Sequence, residues 1–343
     1  MPMKSLKTEL LKKLSRVYGL AGLRPVQQVK TGVLSKNYIL QTGKTKYFLK
    51  QYRLHVGDKV QEIHAAKDFF SKGGVPVVLP LKSKAGRTFI KHGGEVYALF
   101  PYLPFKTVAN GDELNMQQLQ NLGALLGRMH RLSSKQLPNI AHTNIPEWNA
   151  EHVVELKHKF TVTANQILDI IAKKKTKTKF DILAKKTLLL KLRLLNKLPK
   201  SFDVKKLGKA HFLHGDFHER NVFFGKDQNV AHVFDLEKYE VRPRALELAR
   251  SVEIICFRGR YTAKNFRRAQ IYVNAYRSVY PITKREVDYA LRFLWYRHCC
   301  TSWVETEHYL HNDTRPDQFL AHSYNYLNYF SKHNKQFINK IWS

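Results

Sequence analysis

Cysteine, long apolar runs and an apolar leader are all missing or scarce in this sequence. Its three cysteines, Cys256, Cys299 and Cys300, are too few and too unevenly spaced for a disulfide framework or a metal cluster. No stretch approaches the roughly 20 apolar residues that a membrane-spanning helix requires. Leucines alternate with lysines over residues 6–17, which predicts an amphipathic helix and not a signal peptide. We therefore expect a cytoplasmic protein with reduced thiols and no transmembrane segment.

Acidic residues are also scarce. The 343 residues include 59 Lys and Arg but only 27 Asp and Glu, so the formal net charge is +32 at pH 7. A positive potential of this size attracts anions such as nucleotides or nucleic acid, and it disfavours a polycationic substrate. Hydrophobic residues make up 43% of the chain, which is typical of globular proteins. The length fits one two-lobed domain or two fused domains.

The first hundred residues predict a small antiparallel sheet with one inserted helix. Short strand-like runs, separated by turn residues, are predicted at 33–41, 47–52, 75–81, 88–91 and 96–100. Thr42-Gly43-Lys44 supplies the turn between the first two runs. The inserted helix is predicted over 60–71, where apolar residues have helical spacing and two glycines follow as a stop signal.

Two prolines in the segment Phe100-Pro101-Tyr102-Leu103-Pro104 interrupt the last strand, and helical periodicity dominates the sequence that follows. A strong amphipathic helix is predicted over 117–132. We therefore predict an N-terminal nucleotide-binding lobe over 1–100, a hinge over 101–105, and a helical C-terminal catalytic and acceptor-binding lobe over 106–343.

A basic insert is predicted at 157–209, where 16 Lys and Arg face 3 Asp and Glu. Charge runs usually face water, so a solvated helical hairpin with a mobile loop is one interpretation. Contact with a polyanion is the other. Near-continuous leucines over 188–198 indicate that this part of the insert packs against other residues.

A polar loop lies between two apolar runs in Phe212-Leu213-His214-Gly215-Asp216-Phe217-His218-Glu219-Arg220-Asn221-Val222-Phe223-Phe224. Fourteen residues after Asn221, a second apolar run ends on Asp235. Two carboxylates and an amide with this spacing suit a magnesium and hydroxyl site for phosphoryl transfer, because that reaction mainly needs alignment of the acceptor and neutralisation of negative charge. Asp216 would orient or deprotonate the acceptor hydroxyl, and Asn221 and Asp235 would hold the metal.

These residues resemble the catalytic segment of the aminoglycoside phosphotransferase and choline kinase family, His-Gly-Asp-x4-Asn followed by a metal-binding Asp on a strand. The resemblance extends to Lys50 as the family's phosphate-binding lysine and to Glu62 as its ion-pair partner. The same resemblance extends to residues 73–76 and 122–130. It implies an α+β, bilobal, protein-kinase-like fold with a small antiparallel sheet lobe and a larger, mainly helical lobe.

The resemblance also implies Mg2+ and ATP or GTP as cofactors. Gly32 and Ser35 would contact the phosphates, although the loop has a single glycine, and Phe100, Tyr102 and Leu103 would receive the purine. Glu247 stands where the family usually has an aspartate, and we expect it to brace the catalytic loop. His214 is expected to bond nearby backbone, since Asp216 already supplies the base.

Two functions are compatible with these patterns. The first is a Mg-dependent small-molecule kinase that transfers a γ-phosphate to a hydroxyl group of a neutral or anionic acceptor. The second is a kinase-like scaffold that docks nucleic acid or an acidic polymer through 157–209. The aromatic-rich segment 294–303 fits either an acceptor pocket or the packed core of a helix.

Overall fold

The computed structural model describes residues 6, 8–29, 35–52, 57–104, 108, 111–135 and 150–343, except for the side chains of Ser35 and Ala150. The chain divides into two units. The first contains the described residues before 108 together with Asn221–Tyr239, and the second contains the other described residues. The chain passes from the second unit to the first between Arg220 and Asn221.

The first unit combines two helices with seven strands, within the described residues. Its elements are α1 (Thr8–Tyr18), β1 (Arg24–Val29), β2 (Ser35–Thr42), β3 (Thr45–Tyr52), α2 (Gly57–Lys72), β4 (Ile90–His92), β5 (Glu95–Pro101), β7 (Val222–Phe224) and β8 (Val230–Val233). Five of the strands form an antiparallel sheet with the order β1-β2-β3-β5-β4. Gly43, at φ +52°, occupies the predicted turn between β2 and β3. Leu10, Leu14, Leu40, Leu49 and Leu99 form the centre of the core between α1 and the sheet.

The predicted strand over 75–81 is wrong. Val77 forms only an isolated parallel bridge with Val233, and Leu81 donates its N–H to the Leu99 carbonyl at 2.7 Å. Pro76 and Pro80 explain the difference, because proline has no N–H to donate to a continuous ladder.

Helices dominate the second unit. Its elements are α3 (Met116–Lys135), α4 (Ala150–Lys173), α5 (Lys179–Leu195), β6 (Ala210–Leu213), β9 (Glu240–Pro243), α6 (Arg244–Val252), α7 (Ala263–Val279), α8 (Lys284–Cys299), α9 (Trp303–Leu310) and α10 (Leu320–Trp342). The two strands, β6 and β9, pair with each other in antiparallel orientation. None of the helices found in the described part of the chain is both long and apolar enough to cross a bilayer.

The predicted amphipathic helix is α3, which buries Leu119, Leu122, Leu125, Leu126 and Met129. Two glycines allow α3 to approach α7 closely. A Cβ atom at Gly123 would lie 2.3 Å from the Tyr272 carbonyl oxygen, and one at Gly127 would lie 2.9 Å from that of Tyr276. The glycines of the segment 122–130 are therefore packing residues.

The basic insert contains α4 and α5. As predicted, its leucines pack, since Leu188, Leu190, Leu194 and Leu195 are buried. The connection between the two helices is held by a capping box at the start of α5, in which Thr178 and Asp181 bond each other's backbone N–H groups. Lys174 also donates to Asp181, at 2.5 Å. These contacts fix both ends of the loop.

Candidate active site

Lys50 is the cation at the centre of the polar cluster in the first unit. It lies on β3 opposite Ala98 of β5, and its Nζ donates to Oδ1 of Asp235 at 3.1 Å. The structure thus brings together two residues that are 185 positions apart in the sequence. Both were predicted as site residues, Asp235 from its local sequence pattern and Lys50 from the family resemblance.

Sequence reasoning missed a second carboxylate on the same lysine. Glu237 is buried and forms an ion pair with Lys50. Burial alone would lower the pKa of Lys50, but Asp235 and Glu237 outweigh it and raise that pKa above its ordinary value. Lys50 is therefore a permanent cation. The sequence did contain a signal for Glu237, because it follows Asp235 in the spacing Asp-x-Glu directly after β8.

Asp235 has an unusual backbone conformation. Its φ of +64° lies in the left-handed region, which non-glycine residues seldom occupy. Such a conformation costs on the order of 1 kcal/mol and is found most often at functional sites. The Asp235 side chain is 42% exposed, whereas that of Glu237 is 5% exposed. Asp235 is therefore the carboxylate of this pair that remains accessible to a ligand.

Glu62 lies on α2 and contacts other polar groups of the first unit. Its Oε2 accepts a hydrogen bond from Lys59 Nζ at 3.1 Å and another from the Tyr239 hydroxyl. Lys59 also donates to that hydroxyl at 2.6 Å. The prediction that Glu62 orients Lys50 stays a prediction.

Asn221 directly precedes β7 and is buried. Its carbonyl oxygen accepts the Phe234 N–H at 3.0 Å, and β7 pairs with β8 from Val222 to Val233. This hairpin carries Asn221 at its start and leads into Asp235 at its end. The contacts explain why a short strand, a turn and a second strand separate the two predicted metal ligands.

The other residues predicted to contact the nucleotide lie in the sheet or directly after it, or outside the described residues. Gly32 lies outside the described residues, and Ser35 begins β2. Phe100 is buried on β5 opposite Phe48. Tyr102 and Leu103 follow that strand and are half-buried. Their predicted contact with a nucleotide stays a prediction.

The second unit contains Asp216. The N–H of Asp216 donates to His214 Nδ1 at 3.2 Å, which is the backbone role predicted for that histidine. Arg250 on α6 donates from Nη2 to Asp216 Oδ1 at 2.5 Å, and His218 Nε2 lies 3.7 Å from the same oxygen. Burial lowers the pKa of His218 to about 4, although the Asp216 charge opposes that shift. Arg250 was missed by sequence reasoning because only folding reveals its partner.

Glu247 braces the loop, as predicted. It accepts the backbone N–H of Gly215 at 2.6 Å and that of His214 at 3.2 Å, and its Oε2 lies 3.0 Å from His130 Nε2. Glu219, in the same loop, is fully buried and paired with Arg258. Glu247 thus fixes the backbone just before Asp216, and Glu219 is held by Arg258 after it. Asp216 has the most exposed side chain of these three carboxylates, at 14%.

Comparison with known protein families gives one match that covers most of the chain. A family model described as "Phosphotransferase enzyme family" matches residues 25–282. A homoserine kinase from Methylobacillus glycogenes is 22% identical over 269 residues, which cover 78% of this chain and 75% of that protein.

Solved structures share the fold at low sequence identity. A spectinomycin phosphotransferase in complex with ADP and spectinomycin has a TM-score of 0.62 and 14% identity, and the match covers 100% of this chain and 99% of that one. An amicoumacin kinase in complex with AMP-PNP, Ca2+ and its antibiotic has a TM-score of 0.61 and 14% identity, covering 97% and 93%. These similarities confirm the predicted kinase-like fold class.

Proposed function

Because this chain belongs to the phosphotransferase enzyme family, we propose that it transfers the γ-phosphate of ATP or GTP to a hydroxyl group of a small acceptor, with Asp216 as the base. Family membership makes the chain a phosphotransferase that acts on hydroxyl groups. The observation that carries the finer proposal is the pairing of Lys50 with Asp235, because a lysine cation next to a metal-type carboxylate is the arrangement that phosphate groups require.

Lys50 would bind the α- and β-phosphates, and Phe100, Tyr102 and Leu103 would receive the purine. Support for the first role comes from the position of Lys50, whose Nζ lies 3.1 Å from the Asp235 carboxylate that would hold the metal. The solved structures of related fold contain ADP or an ATP analogue, which supports nucleotide use.

Asp216 would accept the proton of the acceptor hydroxyl while the hydroxyl oxygen attacks the γ-phosphorus in line with the leaving oxygen. Arg250 supports this role by holding the Asp216 carboxylate in place through a charge-assisted hydrogen bond. The bracing of the loop by Glu247 holds the Asp216 backbone in position for that contact.

Asn221 and Asp235 would hold Mg2+, which prefers oxygen ligands such as carboxylate and amide groups. The exposed Asp235 carboxylate and its left-handed backbone fit that role. When bound, Mg2+ supplies positive charge that offsets the phosphates. Asn221 and Asp235 contribute by fixing where that charge lies.

The acceptor would be neutral or anionic, since a net charge of +32 disfavours a polycation. The homoserine kinase relative is consistent with such an acceptor, because homoserine is a zwitterion with no net charge. Contact with a polyanion through 157–209 gains no support from the matched structures, which are complexes with nucleotides and small acceptors.

Thermal-shift measurements test the nucleotide site. A ligand that binds only the native state raises its stability by about 2.7 kcal/mol at 100 times its Kd. Saturating ATP or GTP with Mg2+ should therefore raise the Tm of the parent chain by several degrees, and Asp235→Asn should lose the magnesium-dependent part of that increase. A parent chain with no magnesium-dependent shift would contradict the proposal.

A further inference from the structure

Arg250 on α6 is a cation in direct contact with the predicted base. Its Nη2 donates to Asp216 Oδ1 at 2.5 Å. Glu247, three residues earlier on the same helix, accepts the N–H of Gly215 at 2.6 Å. Residues three apart in a helix lie on the same face. One face of α6 therefore binds two consecutive residues of the catalytic loop, which fixes the position of the Arg250 guanidinium relative to the Asp216 carboxylate.

The contact with Asp216 uses a small part of the hydrogen-bonding capacity of Arg250. An arginine side chain has five N–H donors in a planar fork, and within the described residues Arg250 donates one of them, to Asp216. Arg258, by comparison, donates from Nε to the Ile254 carbonyl at 2.9 Å and from Nη2 to Glu219. The Arg250 side chain is also the more exposed of the two, at 37% against 20%. Arg250 therefore has donors available to a ligand directly beside the predicted base.

The charges around the Asp216 carboxylate favour an anionic ligand. The side chains of Arg250 and Arg220 are 37% and 41% exposed, whereas that of Asp216 is 14% exposed and that of Glu219 is fully buried. His218 Nε2 lies 3.7 Å from Asp216 Oδ1. Burial lowers the pKa of His218 to about 4, so this ring is neutral at pH 7. The exposed charges on this part of the loop are therefore mainly those of the two guanidinium groups.

We propose that Arg250 is a catalytic residue that contacts the transferred γ-phosphoryl group in addition to the Asp216 carboxylate. The proposal rests on the proposed function and adds a catalytic residue to it. Asp216 holds the acceptor hydroxyl, whose oxygen attacks the γ-phosphorus, so the transferred group lies next to this carboxylate. A guanidinium that is bonded to the same carboxylate is within reach of that group, and its planar fork suits phosphoryl oxygens.

In the transfer step, the acceptor hydroxyl oxygen forms a bond to the γ-phosphorus, and the bond from that phosphorus to the bridging oxygen breaks. The bonding electrons leave with the nucleoside diphosphate, and Asp216 takes the hydroxyl proton. Negative charge is spread over the three equatorial phosphoryl oxygens in the transition state. Arg250 stabilises that charge from a fixed position and keeps its own protons. Its contribution therefore belongs to kcat and not to the KM for the nucleotide.

Two measurements on a set of variants test this proposal. The set contains Arg250→Gln, Arg250→Lys, Asp216→Ala, the double variant Asp216→Ala with Arg250→Gln, and the control Arg292→Gln. Arg292 on α8 is also partly exposed and donates to a single aspartate, Asp288, at 2.9 Å.

The first measurement is the transfer of labelled γ-phosphate from ATP or GTP, with Mg2+, to water and to homoserine. The second is the thermal shift with ADP or GDP, Mg2+ and aluminium fluoride, an ion that mimics the phosphoryl group in the transition state. The Tm of each variant without ligand, taken from the same scans, reports whether it folds.

Arg250→Gln should lower kcat by about 100- to 1,000-fold, as expected for the loss of one donor to developing negative charge, and should leave the KM for the nucleotide nearly unchanged. Arg250→Lys should recover part of the loss, because it restores the charge but not the fork. Arg292→Gln should match the parent.

A contact with the phosphoryl group does not require the Asp216 carboxylate. Arg250→Gln should therefore also lower the residual rate of Asp216→Ala, by about tenfold or more. The increase in Tm that aluminium fluoride adds to that of the nucleoside diphosphate and Mg2+ should be largely lost in Arg250→Gln and retained in Asp216→Ala. A residue that only positions Asp216 would produce neither result.

Identical results for Arg250→Gln and Arg292→Gln would overturn the proposal. An effect of Arg250→Gln that disappears in the Asp216→Ala background, or an aluminium fluoride shift that Arg250→Gln leaves intact, would overturn it too, because Arg250 would then act only through Asp216. A parent chain that binds nucleotide with Mg2+, but neither transfers phosphate nor responds to aluminium fluoride, would overturn the Arg250 proposal alone. Absence of both nucleotide binding and transfer would overturn the proposed function as well.

Discussion

Lys50 Nζ lies 3.1 Å from Asp235 Oδ1. The pair joins β3 to the residue that follows β8, and Glu237 contacts the same cation from a more buried position. One lysine thus balances two carboxylates of different exposure. The exposed carboxylate is the one predicted to hold a metal, and the buried one fixes the lysine.

Lys50→Met should lower stability, because it leaves the buried Glu237 carboxylate without its cation. Loss of one partner of a buried pair costs about 3 kcal/mol. Urea unfolding measures the change, and the double variant Lys50→Met with Glu237→Leu should recover part of it because no uncompensated buried charge remains. Equal stability of the single and double variants would show that Lys50 and Glu237 are not coupled.

Glu247→Ala should destabilise the protein by about 3 kcal/mol, since it removes the acceptor for one buried and one partly buried backbone N–H group. Glu247→Asp keeps both carboxylate oxygens, each of which accepts one of these N–H groups, and should cost less. Thermal or urea unfolding of both variants makes the comparison. A similar loss in both would contradict the view that Glu247 acts through these hydrogen bonds.

Lowering the pH should decrease the free energy of unfolding, partly because of His130. This histidine is fully buried between Tyr276 and Glu247. Burial, followed by the charge of Arg244, lowers its pKa from 6.5 to about 3. Below about pH 6.5 the unfolded chain binds a proton that native His130 excludes, so its contribution to stability is present above that pH and is lost as the pH falls towards 3.

The free energy of unfolding, measured from pH 7 to pH 4, should fall less steeply in His130→Gln than in the parent, by about 1.4 kcal/mol per pH unit. His158→Gln, at an exposed position on α4, is the control and should keep the parent slope. Parallel pH profiles for His130→Gln and the parent would contradict a neutral, buried His130.

Gly123→Ala should destabilise the contact between α3 and α7, because its Cβ would lie 2.3 Å from the Tyr272 carbonyl oxygen. Overpacking of this kind costs about 1–3 kcal/mol. Gly127→Ala should cost less, since its nearest contact is 2.9 Å. Gln120→Ala at an exposed position of α3 provides the control. A stability order that does not follow these distances would contradict close packing at Gly123.

Elements with strong periodicity could be predicted from the sequence. The helix predicted over 117–132 is Met116–Lys135, because leucines at helical spacing determine which face is buried. The strand Arg24–Val29 was not predicted, since half of its residues are polar and it is partly exposed at the sheet edge. The strand predicted over 75–81 is absent because its prolines interrupt backbone pairing in spite of the apolar pattern.

The candidate site was predicted in its local segments but not in its long-range contacts. Asp216 and Asp235 stand in a recognisable local pattern, and Lys50 is identified through the family resemblance. Arg250 has no such signal and Glu237 has only its spacing after Asp235, because their significance comes from contacts with residues that are distant in the sequence. A side chain that acts through its neighbour can be identified only once the fold has brought the two together.

Asp216→Ala tests the central claim most directly, through two measurements on one variant. Transfer of labelled γ-phosphate to a hydroxyl acceptor should fall by about 100-fold or more, since loss of a general base typically costs 10²–10⁴ in rate. The magnesium-dependent thermal shift with nucleotide should remain close to that of the parent. Transfer at the parent rate by the Asp216→Ala variant would contradict the proposed mechanism.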